Sequence, residues 1–113
     1  VSLSGGQKQR LAMSRALITN PEILILDDSL SAVDAKTEHV ILENLKQERA
    51  DKTTIITAHR LSAIVHADLI LVLENGRIKE RGTHQELLAA QGWYAQTYQN
   101  QQLYERFKEE SAK

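Results

Sequence analysis

Four apolar residues, Ile23-Leu24-Ile25-Leu26, run straight into two acids, Asp27-Asp28. A continuous apolar run this short, set off by Pro21 and by charge, reads as a β-strand buried on both faces. A helix-period stretch follows from Ala35 to about Arg49, capped by Asp34, with Val40, Ile41, Leu42 and Leu45 on its inner side. The β-branched run Thr53–Ala58 is then a second strand. Strand–helix–strand over residues 22–58 is a βαβ unit, so its strands are parallel and its crossover right-handed. Asp27, Asp28 and His59 therefore emerge at one sheet edge, where open α/β sheets take their ligands.

The flanking segments follow from caps and turns. Ser4-Gly5-Gly6-Gln7 opens a helix to about Thr19, with Ser4 as N-cap and Gln7 in the capping-box position; Asn20-Pro21 stops it. After His59 come a short helix over 61–65, a strand over 69–74, the hairpin dipeptide Asn75-Gly76 and a return strand over 77–81 with Ile78 as its main apolar residue. Thr83 and Glu86 cap a further helix that Gly92 ends. Residues 93–113 are helical in pattern, with a fraying tail. Trp93, Tyr94 and Tyr98 pack the C-terminal helices, and Gln99-Asn100-Gln101-Gln102 forms a solvated face. His39, His66 and His84 read as solvated surface residues.

Composition removes several function classes. Fourteen basic against fifteen acidic residues leave a net charge of −1, which argues against a nucleic-acid partner. Cysteine is absent, and with it disulfides, Cys-ligated zinc and thiol catalysis. The longest apolar runs, 23–26 and 69–73, fall far short of the ~20 residues that span a bilayer. The chain opens on Val1 rather than Met and reaches a glycine motif within four residues, as expected of a piece of something longer.

Three features could carry chemistry. A helix N-terminus at Ser4-Gly5-Gly6-Gln7 presents unpaired N–H groups and partial positive charge, and two glycines admit an anion closely. On those four residues alone, a plain capping box explains the pattern at least as well. One carboxylate of Asp27-Asp28 can orient Mg²⁺ while its neighbour positions an attacking water. In isolation the pair is equally an acidic loop start. His59 could reach a phosphate or align a water, or simply be structural.

The order of these features resembles a known family. Leu3-Ser4-Gly5-Gly6-Gln7-Lys8-Gln9-Arg10 resembles the signature motif of the ABC ATPases, and Ile23–Asp27 their Walker B strand about twenty residues later. Ser31-Ala32-Val33-Asp34 is similar to the D-loop, and Ala58-His59-Arg60-Leu61-Ser62 to the switch-histidine loop. Residues 69–78 with Gly82-Thr83-His84 resemble the C-terminal end of exporter-type nucleotide-binding domains. The likeness covers roughly residues 1–100.

The resemblance implies an α/β fold: a partial P-loop NTPase (RecA-like) core, its parallel sheet lacking the phosphate-loop strand, with a C-terminal hairpin and helices. It divides the chain into 1–21 (signature helix, end of the helical subdomain), 22–81 (half of the ATPase core) and 82–113 (C-terminal helices). It implies ATP and Mg²⁺ as cofactors and a head-to-tail sandwich with a second nucleotide-binding domain. Ser4, Gly5, Gly6 and Gln7 would then touch the γ-phosphate of ATP held by that partner. Asp27 would hold Mg²⁺ through water, Asp28 and His59 would be catalytic, and Ser31, Ala32 and Asp34 would lie at the dimer seam. A membrane domain outside this chain would place it at the cytoplasmic face of the cell membrane, as an ATPase driving efflux of multidrug or lipid-like cargo.

Two departures qualify that picture. Most members carry Glu where this chain has Asp28, and proton abstraction needs heavy atoms within roughly 2.6–3.2 Å. A carboxylate one methylene short predicts slow hydrolysis at the chain's own site, as in the degenerate-site subunit of heterodimeric bacterial exporters. No phosphate loop of the form G-x-x-x-x-G-K-S/T occurs in the 113 residues, so the chain alone is expected neither to bind ATP tightly nor to turn it over. Strands 53–58 and 69–73 are expected not to pair. Two further readings stay open: a soluble ABC ATPase of DNA repair or chromosome work, and a non-catalytic fragment that binds a partner domain.

Overall fold

The computed structural model describes residues 2–112. In chain order the elements are α1 (Gly5–Ile18), β1 (Ile23–Leu26), α2 (Ala35–Glu48), β2 (Thr53–Ile56), a 3-10 turn (Leu61–Ile64), β3 (Ile70–Glu74), β4 (Arg77–Gly82), α3 (His84–Ala90) and α4 (Trp93–Ser111). They fall into two units, Val1–His59 and Arg60–Lys113. Val1 and Lys113, the two ends named above, lie outside the described residues; the tail expected to fray is helical to Ser111. No helix among the described residues is long and apolar enough to cross a membrane.

The first unit is the expected βαβ arrangement. β1 and β2 are parallel, with Ile23 opposite Thr53 and Leu26 opposite Ile56, and Thr57 N–H extends the ladder to Leu26 C=O. Met13 of α1, Leu24 and Leu26 of β1, Leu30, Val33 and Leu45 of α2 form its core, with Leu17, Ile41, Leu42 and Ile56 packed against it. Both helices therefore cover the same sheet face. The expectation that β1 is buried on both faces is corrected: Leu24 and Leu26 are 3% exposed, Ile23 and Ile25 61% and 62%. A strand's side chains alternate, and only one face has a helical layer here. Val40 is likewise exposed, because Ile41, Leu42 and Leu45 take the inward face of α2.

Arg49 secures the sheet edge away from the acids. It is 5% exposed, and its guanidinium donates to Pro21 C=O, Thr53 C=O and the Thr54 hydroxyl at 2.8, 3.0 and 3.0 Å. One planar fork thus joins the end of α2 to the entries of β1 and β2.

The second unit is built on a hairpin. β3 and β4 are antiparallel, with an irregularity beyond Val72, and Asn75 and Gly76 both take positive φ (51° and 75°) as a two-residue twisted turn requires. Among the described residues no ladder joins β2 to β3. Leu61, Ile70, Leu87 and Tyr94 form the core of this unit. α3 carries the full capping box of Thr83 and Glu86. Its end is corrected: Gln91 closes it in the left-handed conformation (φ 54°), and Gly92 is instead the N-cap of α4. A Cβ at Gly92 would lie 2.8 Å from a Glu80 carboxylate oxygen, and the other Glu80 oxygen accepts from Tyr94 N–H at 3.2 Å. Glu80 therefore caps α4 from the neighbouring strand, and a side chain at position 92 would oblige its carboxylate to shift.

Two polar readings change in this unit. His84 is buried rather than solvated, with Nδ1 2.8 Å from the Tyr94 hydroxyl and its ring edge-on to Tyr94 and Tyr98. Gln101 is not part of a solvated face, since its side-chain oxygen accepts from Leu61 N–H at 2.9 Å. Tyr94 is fully buried, so the packing role expected of the aromatics holds for it, while Trp93 is half exposed.

Candidate nucleotide-binding site

α1 begins with both arms of its capping box closed. Gln7 N–H donates to Ser4 Oγ at 3.1 Å, and Ser4 N–H donates to Gln7 Oε1 at 2.9 Å. Each side chain thus accepts one bond and keeps its own donor hydrogens: the Ser4 O–H and the Gln7 amide NH₂. The first N–H groups of the helix have no intrahelical acceptor, and no acid lies in the first turn. Ser4, Gly5 and Gln7 are exposed and Gly6 is half-buried. This cluster of donors at a positive helix end fits a phosphate oxygen.

Asp27 and Asp28 follow β1 directly and are exposed at its C-terminal edge. Thr57 organises them. Its hydroxyl donates to Asp27 Oδ1 at 3.0 Å and accepts from Asp28 N–H at 3.0 Å. Asp27 is therefore held by the neighbouring strand with its second oxygen left for other work. Among the described residues no group of three or more His, Cys, Asp or Glu could hold a metal. A cation here would rest on a single carboxylate and complete its shell with water and phosphate oxygens, the habit of Mg²⁺. Asp28 sits at φ 56°, in the left-handed region that Asp tolerates better than most residues. His59 lies three residues beyond β2, exposed at the same edge.

The loop after the acids is pinned at alternate points. Leu30 and Val33 are buried in the core, and Val33 N–H closes a turn onto Leu30 C=O at 3.1 Å. Ser31 and Ala32 are left exposed between them. Asp34 takes the N-cap position of α2 (φ −67°, ψ 159°), but no side-chain hydrogen bond closes that cap. The Thr37 hydroxyl still draws the Asp34 carboxyl below its usual range, its backbone N–H adding to the effect and the Arg10 charge contributing less.

The structure thus groups Asp27, Asp28 and His59 on one edge and joins Asp28, Ser31 and Ala32, but not Asp34, to the helix that carries Ser4–Gln7. Two residues that sequence reasoning missed do the joining. Thr57 reads locally as one more β-branched strand residue. Gln9 reads as part of a polar helix face, yet it bonds Asp28, Ser31 and Ala32, 19 to 23 positions away. Neither residue's own neighbours in the sequence signal such a role.

A donor-rich helix start and a carboxylate edge on a parallel βαβ unit lie where open α/β sheets take their ligands. The family described as ABC transporter matches residues 1–31. A Bacillus subtilis (strain 168) protein named "Probable multidrug resistance ABC transporter ATP-binding/permease protein YheI" is 66% identical over 104 residues, covering 92% of this chain and 18% of its own length. The Escherichia coli (strain K12) "Multidrug resistance-like ATP-binding protein MdlA" is 56% identical over 103 residues, covering 91% of this chain and 18% of its own. A solved bacterial Atm1-family ABC exporter with ATP bound matches with TM-score 0.83 at 47% identity, over 88% of this chain and 18% of that one. The chain belongs to the ABC transporter family, as part of an ATP-binding domain, and spans about a fifth of the length of these relatives.

Proposed function

We propose that this chain is part of the ATP-binding and hydrolysing unit of a membrane exporter. The observation that carries the reading is the start of α1, capped so that donor hydrogens remain and free of acids in its first turn. In this reading Ser4, Gly5, Gly6 and Gln7 serve the γ-phosphate of ATP held by a second ABC nucleotide-binding domain, a different subunit. Asp27 holds Mg²⁺ in the chain's own site, through water. Asp28 orients the attacking water there and His59 contacts the γ-phosphate. Ser31, Ala32 and Asp34 line the seam between the domains. The segments 1–21, 22–81 and 82–113 serve as signature helix, half of the ATPase core and C-terminal helices. A membrane domain outside this chain anchors the assembly, at the cytoplasmic face of the cell membrane. The likeness to ATP-binding/permease proteins favours this over a DNA-repair or chromosome ATPase.

The own site is degenerate, because Asp28 stops one methylene short of where Glu would place its carboxylate. A misplacement of ~1 Å can cost about 10²-fold in rate. The test is Asp28→Glu in the full-length protein reconstituted with its partner subunit. With the partner's own catalytic carboxylate removed, so that turnover reports this chain's site, it is expected to rise by about tenfold or more; unchanged turnover would refute the degenerate site. The 113-residue chain by itself is expected to show no ATP binding by calorimetry, and micromolar binding would refute its dependence on a phosphate loop from elsewhere.

A further inference from the structure

Gly5, Gly6, Gln9 and Arg10 lie on one face of α1, at spacings of one helical turn. Further along, the same face buries Met13 and packs Leu17 on the core. Its N-terminal end meets the loop that follows the two acids. A Cβ at Gly5 would lie 3.1 Å from the Ala32 Cβ, and one at Gly6 3.0 Å from the Ala32 carbonyl oxygen. These glycines thus do more than admit an anion: they let the loop backbone rest on the helix.

Gln9 completes the junction with both ends of its carboxamide. Oε1 accepts from Ala32 N–H at 2.7 Å, and Nε2 donates to Ser31 Oγ at 2.9 Å and to Asp28 C=O at 3.2 Å. The three bonds span the loop from the second acid to Ala32. Such a partner set needs one acceptor and two donor hydrogens at the tip of a side chain of this length. Glu lacks the donors, Lys and Arg lack the acceptor, and Asn is one methylene short. The Arg10 charge acts on Asp34, at the far end of the same loop.

We propose that Gln9 is a positioning residue that locks the loop 28–32 to α1, so that the phosphate-facing helix start and the carboxylate edge of β1 move as one body. The inference rests on the function proposed above, because it links the element that serves the partner's ATP to the carboxylates of the chain's own site. What the partner's nucleotide does to Ser4–Gln7 then reaches Asp27 and Asp28 through three hydrogen bonds rather than through the core.

The experiment uses the full-length protein with its partner domain and two variants, Gln9→Ala and Gln9→Glu, the second keeping the side chain's size. Two quantities are read: hydrogen exchange at the Ala32 amide without nucleotide, and ATP turnover against ATP concentration. Exchange at Ala32 should quicken at least about tenfold in Gln9→Ala. In both variants kcat, supplied mainly by the partner's site that Ser4–Gln7 complete, should fall about 10- to 100-fold as the helix start loses its brace, with KM for ATP within about twofold. Unchanged exchange at Ala32 overturns the lock. Faster exchange with unchanged kcat overturns the positioning role, as does a rise in KM that accounts for the whole loss. If the unsubstituted protein neither binds nor hydrolyses ATP, the proposed function fails, and the exchange measurement still decides whether Gln9 holds the loop.

Discussion

The two units treat their polar side chains in opposite ways. In Val1–His59 the side chains of Ser4 and Gln7 and the Asp27 carboxylate stand at exposed element ends, each braced by a hydrogen bond and each with capacity left over, while Asp28 is held through its backbone N–H. In Arg60–Lys113 most buried polar groups close on one another: Tyr94 with His84, Gln101 with the 3-10 turn, and one Glu80 oxygen with the start of α4, its other oxygen being buried without a partner among the described residues. The contrast separates groups that hold a fold from groups that, in the function proposed above, serve a ligand. Burial tells them apart, since a buried polar atom without a partner costs roughly 1–3 kcal/mol while an exposed one is served by water.

The largest effect should come from the tightest contact of the first unit. Gly6→Ala puts a methyl 3.0 Å from the Ala32 carbonyl oxygen, backbone that cannot rotate away. ATP turnover of the full-length protein should drop about 100-fold, whereas Tyr94→Phe should leave it unchanged within about twofold. Equal losses in the two would erase the distinction between the units.

Arg49, by contrast, is a buried cation of the first unit that donates three hydrogen bonds. Arg49→Ala should destabilise that unit by about 3 kcal/mol, because it removes three charge-assisted bonds and strands two carbonyls. Denaturant unfolding measures this; a loss under ~1 kcal/mol would mean that water replaces the guanidinium.

Tyr94→Phe should cost about 1 kcal/mol at neutral pH by removing one buried hydrogen bond. Its pH dependence is the sharper check. Burial, with a smaller contribution from Tyr98, pushes the Tyr94 hydroxyl up to about 12 from its usual 10. A raised pKa means that the folded state keeps the proton longer, so this contribution is whole below pH 10 and is lost as pH rises towards 12. Phenylalanine should abolish that alkaline loss. Burial, then the nearby His66, lowers the His84 pKa from 6.5. That stability is present above 6.5 and lost as pH falls through the folded value, so the second unit should weaken in mild acid. Burial disfavours the charged form of each residue, which accounts for both directions.

The smallest effect concerns Asp28 again. Glutamate tolerates φ 56° less well than aspartate, so Asp28→Glu should lower thermal stability by about 1 kcal/mol or less even as it raises turnover. A variant that gains both would mean the backbone relaxes out of the left-handed region.

Much of the molecule was legible before folding was considered. The βαβ unit, the two capping boxes, the Asn75-Gly76 turn and the common edge of Asp27, Asp28 and His59 follow from signals within a few residues of each other. The errors were of one kind. Ile23 and Ile25 are as apolar as Leu24 and Leu26, and His84 as polar as His66; composition cannot say which neighbour covers which face. Gly92 suits a helix end by its type alone, but it begins α4, beside the carboxylate of Glu80 a dozen positions back.

Local periodicity and capping are settled by residues at most four apart along the chain, so the sequence by itself determined the elements, their order and the edge that carries the acids. The tertiary structure decided the roles of Gln9, Thr57, Arg49 and Gln101. Most of their bonds reach side chains and backbone from 19 to 40 residues away, and a hydrogen bond between such distant groups exists only once the strands and helices have brought donor and acceptor within 3 Å or so of each other.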